Sequence, residues 1–241
     1  MNVGPGLRRF VASTPAGPGP SAPPAPPAPE TQAGPPQAAA EEACEFCAAG
    51  IPAEHGHVAD LDTSSLMCAC RACYLLFTHS GAAERWQAGQ SVRGRYRSIP
   101  DRYRSDPGRP LSVADWDTLE IPVGLAFFLR SSQDGGVTGF YPSPAGATEC
   151  RLDLPAWDRI SAAHPLMAAA EPDVEAILIS REGPGADGVE CFLVPVDACY
   201  ELAGRMRLHW RGFDGGAEAR QSIASFLESV RARSRDFGRE P

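Results

Sequence analysis

A chain of 241 residues is long enough for one sizeable domain with appendages or for two small ones, and its 43% apolar content suffices for a real core. A net charge of −8 does not suit a surface that coats nucleic acid or an anionic membrane, so neither is expected as a partner. No apolar run approaches the roughly 20 residues that span a bilayer, and Arg8-Arg9-Phe10 is not followed by the apolar stretch of an export signal, so a cytoplasmic location without membrane insertion is expected.

Residues 1–40 hold 11 prolines among Ala and Gly, with almost no charge. Such a segment buries too little surface to offset its ordering entropy, and a disordered tail is expected there. Residues 41–90 read as a cysteine-rich metal module. Cys44 and Cys47 form one C-x-x-C knuckle, and Cys70 and Cys73 form a second, with 22 residues between the two. Two knuckles at this zinc-ribbon-like spacing can present four thiolates to one tetrahedral ion. In a reducing compartment such thiols signal a metal more often than a disulfide. Zinc is the expected ion. Iron in a rubredoxin-like site is the alternative, although rubredoxin-type knuckles usually carry glycine after the second cysteine, where this chain has Ala48 and Tyr74. An iron–sulfur cluster also needs grouped thiolates and stands behind both.

Three further donors lie between the knuckles: Cys68, and His55 and His57 in the intervening loop. They allow three readings. The histidines could cover the module over a buried spare thiol. One histidine could replace a cysteine in the zinc shell. Or the three could form a second, labile site for a transition ion such as nickel or iron, which imidazole and thiolate suit.

Residues 91–241 read as an α+β domain. Thr78–Ala88, just before it, has the pattern of a short helix. At its start Arg93, Arg95, Arg97, Arg102, Arg104 and Arg109 interleave with Tyr96 and Tyr103, a pattern of an extended strand or connector. Aromatic-basic interleaving can contact RNA, but acids are abundant here, and a solvated edge paired with them is the plainer reading. Ser112 with Asp115 resembles a capping box. Strands are expected at Val123–Leu129, Val137–Tyr141, Thr148–Leu152, Val174–Ser180 and Val189–Val196, with a turn at Gly183-Pro184-Gly185. Helices are expected over Asp153–Ala163, with Trp157 and Ile160 inward, after an Asp197 cap, and after Gly215-Gly216, with Ile223, Phe226, Leu227 and Val230 as the apolar stripe. Strands in hairpins without β-α-β alternation predict a mostly antiparallel sheet with helices on one face.

Cys150, Cys191 and Cys199 fall beside strands and a helix start, where a free thiol is usually a small buried hydrophobe. His164 and His209 offer no visible base for them. There is no nucleophile elbow, phosphate loop or H-E-x-x-H, and no catalytic residue is assigned. His209-Trp210-Arg211-Gly212 and Phe140-Tyr141-Pro142-Ser143-Pro144 could line a pocket or meet a partner.

The stretches Cys44–Phe77, Ile121–Phe128, Phe140–Glu149, Glu171–Ala176 and His209–Gly212 resemble an actinobacterial family of unknown function, over roughly residues 41–235. Genes of that family commonly lie beside those of nickel–iron hydrogenases. The resemblance implies a non-catalytic accessory role, with a hydrogenase subunit or maturation factor as partner, and it supplies no catalytic residues.

Overall fold

The structure, a computed structural model, describes residues 42–77, 95–150, 154–181, 189–212 and 214–239. The tail expected over residues 1–40, the helix expected over 78–88 and the turn at 183–185 lie outside them. The described residues form two sheets. The smaller is built from β1 (Gly56–Asp60), β2 (Ser65–Ala69) and β3 (Tyr96–Ser98), in the order β2-β1-β3. β1 and β2 form an antiparallel hairpin that sets His57 opposite Cys68 and Val58 opposite Met67. β3, from the arginine-tyrosine stretch, pairs with the other edge of β1.

Helix α1 (Arg71–Leu76) follows β2 at once. Its Tyr74 ring lies over Gly56, where a Cβ would come within 2.6 Å of the ring, so only glycine fits. The Tyr74 hydroxyl donates to the Ile99 carbonyl at 2.8 Å.

The larger sheet has seven strands in the order β10-β4-β9-β8-β5-β6-β7. Its centre is β5 (Leu125–Arg130), β8 (Glu175–Ser180) and β9 (Glu190–Pro195); β6 (Val137–Ser143) and β7 (Gly146–Cys150) extend one side, and β4 (Arg104–Ser105) and β10 (Arg235–Asp236) the other. Every pairing is antiparallel except that of β10 with β4. The fold class is thus α+β with a mostly antiparallel sheet, as the hairpin spacing predicts.

The expectation of helices on one face is corrected. Side chains alternate along each strand, and both sets are buried. Phe127, Phe140, Leu178 and Val194 pack with α5 (Val196–His209) and α6 (Gly216–Arg233), through Leu202, Met206, Phe226 and Leu227. Ala126, Phe128, Ile177 and Ile179 pack on the opposite face with α2 (Val113–Thr118), α3 (Leu154–Ala163) and α4 (Pro165–Ala168), through Trp116, Trp157, Ile160 and Leu166. The reason lies in the strands. All six residues of β8 are buried, and a continuous apolar run demands cover on both sides. The capping box is present: the Ser112 hydroxyl accepts from the Asp115 N–H at 3.0 Å, and the Asp115 carboxylate accepts from the Ser112 N–H at 3.2 Å. Asp197 is a second correction. The N-cap of α5 is Pro195, and Asp197 sits in the first turn, where its carboxylate accepts from His57 instead.

The small sheet is held to the large one by apolar contact and by ion pairs. Ala59, Ile99, Val174 and Val196 form a buried cluster, with Leu61, Leu66, Leu129 and Tyr200 against it. Arg97 donates to Glu171 and to the Pro172 carbonyl, each at 2.9 Å. Arg95, by contrast, stays within the small sheet and donates to the buried Asp60 of β1 at 3.1 and 2.8 Å. Arg102 reaches Glu175, which is 1% exposed, at 2.6 and 2.5 Å. Arg95, Arg97 and Arg102 are therefore held by acids, as a paired edge requires.

Removing one partner of a buried pair leaves an uncompensated charge. Arg102→Met is expected to lower stability by about 3–5 kcal/mol in urea unfolding, and Glu175→Met in the same chain to restore much of it. Asp60 supplies a pH dependence. Burial pushes its carboxyl up, but the Arg95 guanidinium, with hydrogen bonds from Thr63 and the Asp62 N–H, outweighs this and holds it below its ordinary range. A carboxyl depressed on folding contributes stability above its unfolded value, near pH 4, and loses it as pH falls toward the folded one. Arg95→Gln is expected to move the acid-unfolding midpoint upward, measured by circular dichroism against pH.

Candidate metal centre

The first knuckle is a tight turn. The Ala48 N–H donates to the Cys44 carbonyl at 2.8 Å, and the Cys44 N–H donates to the Ala49 carbonyl at 2.8 Å. Ala48 takes the left-handed conformation, φ 59°, that favours glycine, at a cost of about 1–2 kcal/mol. The knuckle is tied to the hairpin: the Glu45 N–H donates to the Cys68 carbonyl at 2.9 Å, and the Cys68 N–H donates to the Glu45 carboxylate at 2.5 Å.

The second C-x-x-C is built differently. Cys70 is the N-cap of α1, and its sulfur accepts from the Cys73 N–H at 3.5 Å. The hairpin β1–β2 spans the distance between the knuckles and returns Cys70 and Cys73 to Cys44 and Cys47. The four sulfurs lie within 4.8 Å of one another, and the Cys47 and Cys70 sulfurs are 3.7 Å apart. A tetrahedral ion with metal–sulfur bonds of about 2.3 Å needs sulfur–sulfur edges of about 3.8 Å. The four-cysteine cluster can therefore bind a metal ion.

The electrostatics suit a cation. Burial pushes the Cys44 thiol up, but backbone hydrogen bonds from Cys70, Phe46 and Cys47 outweigh it and bring the thiol down to about 6. Cys73 is raised by burial and then by its hydrogen bonds to the other three sulfurs. Four thiols this close cannot all ionise without a positive charge among them.

The other three donors also converge. One donor atom each from His55, His57 and Cys68 lies within 4.8 Å of the other two. His57 belongs to β1, not to a loop, and His55 precedes that strand by one residue. The His55 Nδ1 donates to the Pro52 carbonyl at 2.9 Å. The His57 Nδ1 donates to the Asp197 carboxylate at 2.9 Å. His55 and His57 are among the residues lining a cleft of about 1120 Å³ between the module and helices α5 and α6, lined also by Cys70, Arg71, Tyr103, Asp197 and Arg233. Sequence reasoning did not find Asp197 as a partner of this cluster. Its only signal was an acid in the first turn of a helix.

Of the remaining thiols, Cys199 is a core residue, while Cys191 and Cys150 are half-buried. Cys199 lies on the buried face of α5, and burial raises it well above the ordinary thiol value. Burial pushes Cys191 up to about 12 and also raises Cys150. The Trp210 indole donates to the Gly212 carbonyl at 3.0 Å and packs on the α5–α6 core, so it closes its own turn. Phe140 to Ser143 lie within β6, with Phe140 buried.

A family of unknown function, DUF5947, matches residues 43–234. The chain belongs to this family. The matched stretch runs from the residue before Cys44 to the end of α6, so module and α+β domain are matched together. Neither a curated protein nor a solved structure matches the chain. No helix among the described residues is long and apolar enough to cross a membrane.

A metal that closes the four thiols should also hold the hairpin between them. Stripping it with a strong chelator is expected to release hydrogen-exchange protection at Val58 and Ala69 and to leave that of Ile177 and Leu193 unchanged. Unchanged protection in both sheets would show that the module stands without its metal.

Proposed function

We propose that the protein is a non-catalytic, zinc-binding accessory protein of the cytoplasm. In this reading Cys44, Cys47, Cys70 and Cys73 hold a structural zinc ion. The folded chain then serves the assembly, maturation or operation of a nickel–iron hydrogenase through protein–protein contacts. The observation that carries the metal reading is the convergence of four sulfurs from a knuckle and a helix start. Zinc is favoured over iron because the two C-x-x-C segments are built unlike each other. One is a turn closed by a left-handed residue, and the other continues into a helix at Tyr74. The hydrogenase link rests on the resemblance of the quoted stretches to the actinobacterial proteins whose genes lie beside hydrogenase genes. The partner named is a hydrogenase subunit or maturation factor.

The test is elemental analysis with an absorbance spectrum on full-length protein purified without oxygen or chelators. A tagged copy is then recovered from cells that express a nickel–iron hydrogenase. One firmly held zinc per chain, no visible absorbance and co-recovery of a hydrogenase component are expected. Iron with visible thiolate absorbance would replace this reading with that of a one-electron carrier. Absence of any metal would overturn the centre itself, and recovery without a hydrogenase component would overturn the partner.

A further inference from the structure

We propose that His55, His57 and Cys68 form a second metal site, separate from the four-thiol centre, that takes a divalent transition ion. The three donors come from one hairpin. His57 and Cys68 are directly opposed across β1 and β2, so their side chains leave the same face. His55 lies two residues before His57, and the period of an extended chain brings it to that face too. The rings of the two histidines are 4.8 Å apart, centroid to centroid.

The hydrogen bonds select which nitrogens remain. Each Nδ1 is engaged, that of His55 with the Pro52 carbonyl and that of His57 with the Asp197 carboxylate. This leaves each Nε2 unprotonated in the neutral ring, with its lone pair free. The His55 side chain is only 7% exposed, and its Nε2 is buried without any hydrogen-bond partner. A buried ring nitrogen with nothing to bond to is costly, and a cation at this position removes that cost. The two Nδ1 contacts match the outer hydrogen bonds that orient metal-binding histidines. A carboxylate or a backbone carbonyl fixes the tautomer and turns the other nitrogen to the ion. The Glu42 carboxylate, 3.6 Å from the His55 Nδ1, adds negative charge on that side.

Two imidazoles and one thiolate suit an ion of borderline softness such as zinc, cobalt(II) or nickel(II), and not calcium or magnesium. Three protein donors leave a tetrahedral ion one exogenous ligand. The four-thiol centre, by contrast, is closed by its own sulfurs.

The probe is cobalt(II), added anaerobically to the full-length chain that already carries its tightly held metal. After desalting, the metal content is measured, and the thiolate-to-cobalt charge-transfer band is followed through the titration. Wild type is expected to take up one cobalt beyond the first metal, with a charge-transfer band. Cys68→Ser should lose that band, and His55→Gln or His57→Gln should weaken uptake at least tenfold. Asp197→Asn, which touches no ion, should weaken it by about 10–100-fold. All four should keep the first metal and the wild-type circular dichroism. No second equivalent in wild type overturns the proposal whatever the variants do, as does a second equivalent that all four variants bind like wild type. A site lost in Cys44→Ser but kept in Cys68→Ser is the four-thiol centre, so failure of one centre is distinguishable from failure of the other.

Discussion

Two of the four side chains in the module's buried apolar cluster, Cys44 and Cys73, are thiols of the metal centre; the other two are Val58 and Ala69. A core this small does not hold a segment of such length. Folded units below about 40 residues usually need a metal, a disulfide or a partner surface. The knuckle, the hairpin and the start of α1 therefore depend on the thiols being drawn together. The ring of Phe46, with those of Phe77 and Tyr96, closes the outer side at centroid distances of 5.0–5.6 Å. These aromatics make a partly buried lid, and they do not substitute for a core.

The hairpin has two working faces. Val58 and Ala69 point to the thiol side, while Ala59 and Leu66 join the cluster that meets the large sheet through Val174 and Val196. Strand alternation thus divides the module between the four thiols and a neighbour. The neighbour's contribution includes charge. Arg97 grips the turn before β8, and the Gln133 amide donates to the Leu61 carbonyl at 2.9 Å. The stretch 95–102 works in both directions, supplying the third strand of the small sheet and two guanidiniums, Arg97 and Arg102, that reach Glu171 and Glu175 beside and within the large one.

Much of this was open to reading from the chain. The four cysteines, the strand positions and the capping box at Ser112 each carry a local signal: a spacing, a run or a pair three residues apart. What escaped depended on contacts between distant segments. Asp197 looks like a helix cap because acids favour first turns; its bond to His57 spans 140 residues and has no local trace. The helices on both faces have a different origin. Val123–Leu129 reads as a buried run, and a run without alternation needs cover on both sides, which the hairpin pattern alone does not convey. His55 and His57 read as loop because two polar residues with glycine between them carry no strand propensity. The His-x-His spacing was the clue, since it repeats at the period of a strand.

Asp197 joins these threads. It stands in the first turn of α5, which is packed into the core of the large sheet, and it holds the ring of a histidine from the small one. Its neighbours Val196 and Tyr200 lie in the apolar contact between the sheets. Any charge that settles near the His57 ring is therefore felt at the seam. A cation on the other nitrogen of that ring strengthens the Nδ1–H bond to the carboxylate by polarising it. Occupancy of such a site and firmness of docking then favour each other, as linkage requires of two events that share one hydrogen bond. The four-thiol centre sits on the opposite face of the same hairpin and does not touch the seam through such a bond. One centre organises the module internally, while the other position is placed where the module meets the rest of the chain.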